Sequence, residues 1–179
     1  MKIAVFLSAQ SELSPAFEAA TRNFGKWIGE QGHSLVYGGA EKGMMKVIAD
    51  SVRSAGGELF GVVPNILYTR GLAREDLDVS FRCADLHDRK QLLIDQSDVI
   101  VALPGGIGTI DEVFTVLGMR TIGFATPRII LFNVEGVFNS LLAMINALQN
   151  QGLLRSKQAE LFEVVDSLEA LIRSIEKES

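Results

Sequence analysis

Short apolar runs alternate with amphipathic stretches along the whole 179-residue chain. That order fits a parallel sheet covered on both faces by helices. The runs predict strands at about Lys2 to Leu7, Ser34 to Tyr37, Glu58 to Val63, Asp98 to Leu103 and Arg128 to Phe132. Helices are expected over Pro15 to Gln31, Met44 to Ala55, Asp85 to Gln96, Ile110 to Gly118 and Val137 to Gln149, with a last one after Asp166. The first carries clear punctuation: Ser14 suits the N-cap, Pro15 the first helical position and Gly32 the stop. Within it Phe17, Ala20, Phe24, Trp27 and Ile28 recur at helical spacing and form one buried stripe. Asp166 and Glu169 have capping-box spacing at the start of the last helix. Residues 64–89 are polar and irregular for much of their length, and long connections of this kind are usually functional or mobile.

Composition removes several classes of function. With 47% hydrophobic and 22% charged residues, the chain reads as a single globular domain, residues 1–179, able to bury roughly 70% of its unfolded surface. Cys83 is the only cysteine, so an intrachain disulfide and a cysteine-based zinc cluster are excluded, and a reducing cytoplasm is the expected setting. Cys83 itself reads as a small buried hydrophobe. The apolar start, Ile3 to Leu7, is too short for a signal-peptide core or a membrane span, so it reads as a first strand. A net charge of −5 without a basic run argues against a nucleic-acid partner. Small anions remain candidates, since backbone amides bind them without basic side chains. His33 reads as structural.

Two glycine-rich turns follow predicted strands, VYGGAEKGMM at residues 36–45 and LPGGIGT at 103–109. Both fall at the carboxyl ends of parallel strands, where open α/β sheets bind ligands. Each precedes a helix whose first amides are unpaired and partially positive, a setting that holds phosphate. Gly43 is followed by Met44 and Met45 rather than Lys and Ser/Thr, which excludes a Walker A loop. In the later loop Asp111 stands where the third glycine of a dinucleotide fingerprint belongs, on a late strand, which disfavours NAD. One such loop is equally well a tight turn. Two at the same end of one sheet point to a phosphate-bearing ligand.

Glu112 has two readings. Thr109 and Glu112 have the spacing of a capping box. Alternatively, with Ile110, Val113, Phe114 and Leu117 facing inward, Asp111 and Glu112 stand in the first helical turn beside the phosphate loop. A carboxylate repels phosphate, so it makes sense there only if it does chemistry on the adjoining sugar. His87, Arg89 and Lys90, in DLHDRKQLL at 85–93, bring the opposite charge to a helix start, where cations gain nothing from the dipole. Solvated surface charge is the plainer reading of that cluster.

LPGGIGTIDE resembles the PGGxGTxxE signature of the LOG ("Lonely Guy") family, and DLHDRK resembles its upstream Met-His-x-Arg-Lys. The resemblance extends through LVYGGAEKGMM, GGELFGVVP and NVEGVFNSLLAMI, in order, over most of the chain. It implies a homodimeric, Rossmann-like enzyme that hydrolyses the N-glycosidic bond of a nucleoside 5′-monophosphate without a cofactor or metal. Typical substrates are N6-modified adenylates, split into free base and ribose 5-phosphate. Carried over by position, Arg89 and Glu112 are the catalytic pair. Gly105, Gly106, Gly108 and Thr109 would hold the phosphate, with Lys90, Asp111 and the Gly38-Gly39 turn nearby. The chemistry agrees: glycosidic cleavage builds positive charge on the sugar, which a carboxylate can stabilise, or it can activate the attacking water. An arginine keeps its proton, so Arg89 would act through hydrogen bonds and charge.

Departures from the family pattern concentrate where the base is read. LYTRGLARED lacks the usual Pro-Arg-Glu, leaving Glu75 a loose candidate, and GMRTIGF replaces Thr-Trp-x-Gln-Leu-Gly. FLSAQSE lacks the usual Gly-Ser-Ser. The base is thus open between an N6-modified adenylate, AMP and another monophosphate. A competing reading is a non-catalytic nucleotide or pterin carrier, because molybdenum-cofactor carrier proteins are similar around both glycine loops. Members of the family are often labelled lysine decarboxylases, but no lysine here is set up to form a Schiff base.

Overall fold

The computed structural model describes residues 1–154 and 158–177. Its elements run β1 (Lys2–Phe6), α1 (Pro15–Glu30), β2 (Ser34–Tyr37), α2 (Gly43–Ser54), β3 (Glu58–Pro64), α3 (Asn65–Thr69), β4 (Val79–Cys83) and α4 (Leu86–Asp95). They continue with β5 (Val99–Ala102), α5 (Ile107–Thr121), β6 (Arg128–Phe132), a short 3-10 turn, α6 (Asn139–Asn150), α7 (Gln158–Leu161), β7 (Glu163–Val165) and α8 (Leu168–Glu176). The strands form one seven-stranded sheet in the order β4-β3-β2-β1-β5-β6-β7, parallel at every pairing. This is the α/β, Rossmann-like architecture the sequence led us to expect.

Side-chain alternation along β1 shows why both faces are covered. Ile3, Val5 and Leu7 pack into a core with α1, α2 and α8, while Ala4 and Phe6 face the other way, into a core with α4, α5 and α6. Central strands buried on both sides therefore read as unbroken apolar runs. Two strands escaped that signal. β4 is an edge strand whose Ser80 and Arg82 are exposed between half-buried Val79 and Phe81 and buried Cys83, and β7 is three residues long. Neither can form an apolar run.

The punctuation of α1 is as expected: Ser14 accepts from the Ala16 amide at 3.3 Å, and Gly32 takes the left-handed conformation (φ 65°) that ends the helix. Phe24 and Trp27 stack at 5.9 Å within its buried stripe, and His33 meets Trp27 edge-on at 5.3 Å. At α8 the cap is Ser167, whose hydroxyl accepts from the Ala170 amide, rather than Asp166. Starting the helix one residue later moves the capping position accordingly.

The long connection is not structureless. It contains α3 and β4, and its middle is clasped by Arg74, 8% exposed and hydrogen-bonded to Asp50, Asp76 and Glu41. Its backbone amide also donates to Gly39, and Ala40 bridges to Ala73. Cys83 is buried, which pushes its thiol pKa up, as befits an unreactive core position. Among the described residues no helix is long and apolar enough to cross a membrane.

Candidate active site

In this strand order the connections reverse direction between β1 and β5, and the carboxyl ends of those strands flank a cleft of about 260 Å³. Crevices at such switch points are where open α/β sheets take ligands. The exit of β1 supplies Leu7, Ser8, Ala9 and Gln10, and α2 supplies Met45. Arg89 enters from α4, and Gly106, Ile107, Gly108, Thr109 and Glu112 come from α5.

α5 begins earlier than its sequence suggests. Gly106 is the N-cap, in extended conformation (φ −92°, ψ −150°) with no side-chain cap, and its carbonyl accepts from Ile110 at 3.1 Å. Thr109 is thus inside the helix, so the capping box with Glu112 does not form. The apolar stripe shifts too: Val113, Val116 and Leu117 are buried, whereas Phe114, a helical step from Val113, is 37% exposed. Glu112 moves out of the first turn and into the protein, 6% exposed at the cleft's inner wall.

The amides of Ile107, Gly108 and Thr109 stand at the start of the helix, where N–H groups lack intrahelical partners, and all three residues line the cleft. A Cβ built on Gly106 or Gly108 would meet no protein atom within 4 Å. Glycine is not required there for packing, and its bareness keeps the rim open to a ligand. Gly106→Val is therefore expected to weaken nucleoside monophosphate binding while leaving the melting temperature nearly unchanged. Isothermal titration with AMP checks this, and unchanged affinity would make the loop only a turn.

Arg89 Nη1 donates to Glu112 Oε1 at 3.3 Å across the base of the cleft. Burial pushes the Glu112 carboxyl from 4.5 up to about 7, against the opposing pull of the Arg89 charge. A carboxyl tuned near neutrality suits proton transfer. The neighbouring pair, Lys90 with Asp111 at 2.9 Å, joins the same two helices one residue away on each and is more exposed.

The structure thus gathers Arg89, Glu112, Gly106, Gly108 and Thr109 at one cleft. Lys90, Asp111, Gly38, Gly39 and Gly105 stand outside its lining. Lys90 is engaged by Asp111, Gly39 accepts from Arg74, and Gly105 packs its α-carbon against the Thr109 side chain. Ser8, Gln10 and Met45 were missed from sequence. The signal was available for the first two, since the exit of the first strand adjoins the switch point in this topology. Among the described residues no lysine lines the cleft, so these residues do not fit a pyridoxal-phosphate site.

Fold and cleft together define a Rossmann-like α/β protein with a bare glycine loop at a helix start and a buried carboxylate–guanidinium pair. A family model described as "Possible lysine decarboxylase" matches residues 45–175, and the chain belongs to that family, within its LOG branch. Two cytokinin riboside 5′-monophosphate phosphoribohydrolases of Arabidopsis thaliana are each 30% identical to it, over 98% of this chain and 81% and 82% of their own lengths. Among solved structures, the molybdenum cofactor carrier protein of Chlamydomonas reinhardtii superposes with a TM-score of 0.72 at 20% identity, over 98% of this chain and 96% of that one. That likeness concerns the fold alone.

Proposed function

We propose that the cleft hydrolyses the N-glycosidic bond of a nucleoside 5′-monophosphate, AMP or an N6-modified AMP such as a cytokinin riboside monophosphate. Water adds its hydroxyl to the sugar carbon as the C–N bond breaks, and the departing base takes the proton, giving free base and ribose 5-phosphate. The observation that carries this reading is Glu112, a buried carboxyl held against Arg89 next to an open glycine rim. Ionised, Glu112 stabilises the developing sugar cation or takes a proton from the attacking water. Arg89 fixes the carboxylate and supplies charge without giving up a proton. The helix-start amides hold the 5′-phosphate.

A carrier of a phosphate-bearing pterin would use the same loop and a similar fold. It would have no use for a desolvated carboxylate, which costs stability wherever it is ionised. Phosphate dependence and product formation separate the two. AMP should be split, and adenosine should be a poor substrate, as followed by chromatography of free adenine and ribose 5-phosphate. Equal turnover of both would remove the phosphate site from the reading. No turnover of any monophosphate would favour the carrier.

The working unit is proposed to be a homodimer. Ile107 and Phe114, 85% and 37% exposed, lie seven residues apart on one face of α5, leaving an apolar strip beside the cleft uncovered. Sedimentation at twice the chain mass is expected, and a monomer at assay concentration would refute it.

A further inference from the structure

Gly38 follows β2 directly, and its φ lies outside the left-handed region, unlike that of Gly39, whose φ is 68°. A left-handed backbone is not what requires glycine at 38. Space does: a Cβ there would overlap Arg89 Nη2, well inside the 3.0 Å that real Cβ atoms keep, and would stand 3.2 Å from Arg89 Cζ and 3.1 Å from Met45 Cε. The guanidinium is planar and rigid, so seating Nη2 orients Nη1, the atom that donates to Glu112.

We propose that Gly38 is a positioning residue: the side chain missing at the exit of β2 is the slot that seats the Arg89 guanidinium against Glu112. The inference rests on the reading of Arg89 and Glu112 as the hydrolytic pair. It gives Gly38 a task other than that of a backbone group near the phosphate. It also explains how a residue on α4 reaches a carboxyl on α5 beneath the cleft: the guanidinium runs alongside the β2 turn, with Met45 closing the slot.

The test is Gly38→Ala. The obstructed atom is the far end of a flexible side chain, so the fold should survive and Arg89 should withdraw. Hydrolysis of AMP is expected to fall about tenfold or more, mainly in kcat. The Glu112 carboxyl, followed by carbon NMR, should titrate higher than in the wild type, because Arg89 leaves while Lys90 and Asp111, the other charges facing it, stay. In an Arg89→Lys background, where no Nη2 exists, adding Gly38→Ala should leave the Glu112 titration unmoved. A shift of equal size in both backgrounds, or none in either, overturns the proposal. If Gly38→Ala does not fold alone but folds with Arg89→Lys, the collision is demonstrated, whereas failure of both to fold overturns it. Should the wild type split no monophosphate, the hydrolytic reading fails, yet the titrations still decide the role of Gly38.

Discussion

Glu112→Gln should lower hydrolysis of AMP by roughly 100-fold or more, the scale for removing a positioned acid or base. Glutamine keeps the size of the side chain and an oxygen to accept from Arg89, so the loss isolates charge from shape. The same variant carries a second signature, in stability. Because burial raises the Glu112 carboxyl from 4.5 to about 7, the folded protein holds a proton between those values that the unfolded chain releases. That stabilisation is complete below 4.5 and is lost as pH rises through about 7, a change on the order of 3 kcal/mol. Glutamine has no proton to lose. Melting temperatures of wild type and variant should therefore lie close at pH 5, and the variant should be the more stable at pH 8. Near-normal turnover would end the proposed chemistry, and melting differences independent of pH would show that Glu112 is not desolvated as described.

Arg89→Ala should cost a similar factor in kcat/KM. With the Arg89 charge gone, burial loses its main opponent and Lys90 gives only the lesser pull, so the carboxyl rises further and less of it is ionised at neutral pH. The rising limb of the pH–rate profile should move to higher pH in this variant. Two groups working as one unit lose their function together, so the Arg89→Ala, Glu112→Gln double variant should be barely worse than either single one. Losses that multiply would mean that the residues act independently.

The sequence displayed what burial imposes and hid what tertiary contact imposes. Central strands announced themselves because both of their faces are apolar, and α1 because Ser14, Pro15 and Gly32 act locally. β4 was illegible, since an edge strand with exposed Ser80 and Arg82 lacks the run that marks its neighbours. Thr109 and Glu112 have the spacing of a cap, but the helix starts at Ile107 behind an N-cap at Gly106, and three residues of difference turn a surface pairing into a buried carboxyl. The proximity of Arg89 to Glu112 was an implication of family likeness, since nothing local in either segment specifies the other. Gly38 read as one of a pair of phosphate-loop glycines. Its contact with a side chain from α4 exists only in the folded chain.

The clasp at Arg74 has a consequence for where such a protein can vary in sequence. It fastens the stretch between β3 and β4 to α2 and to the turn after β2, whereas Arg89 and Glu112 are carried by α4 and α5. Residues 65–73 are held by that clasp and by the Glu41 amide, which donates to the Leu72 carbonyl. The clasp also meets the turn after β2 at Gly39, next to the Gly38 position proposed to seat Arg89. A change of sequence in residues 65–73 that keeps the clasp should leave that turn, and with it the Arg89–Glu112 contact, in place.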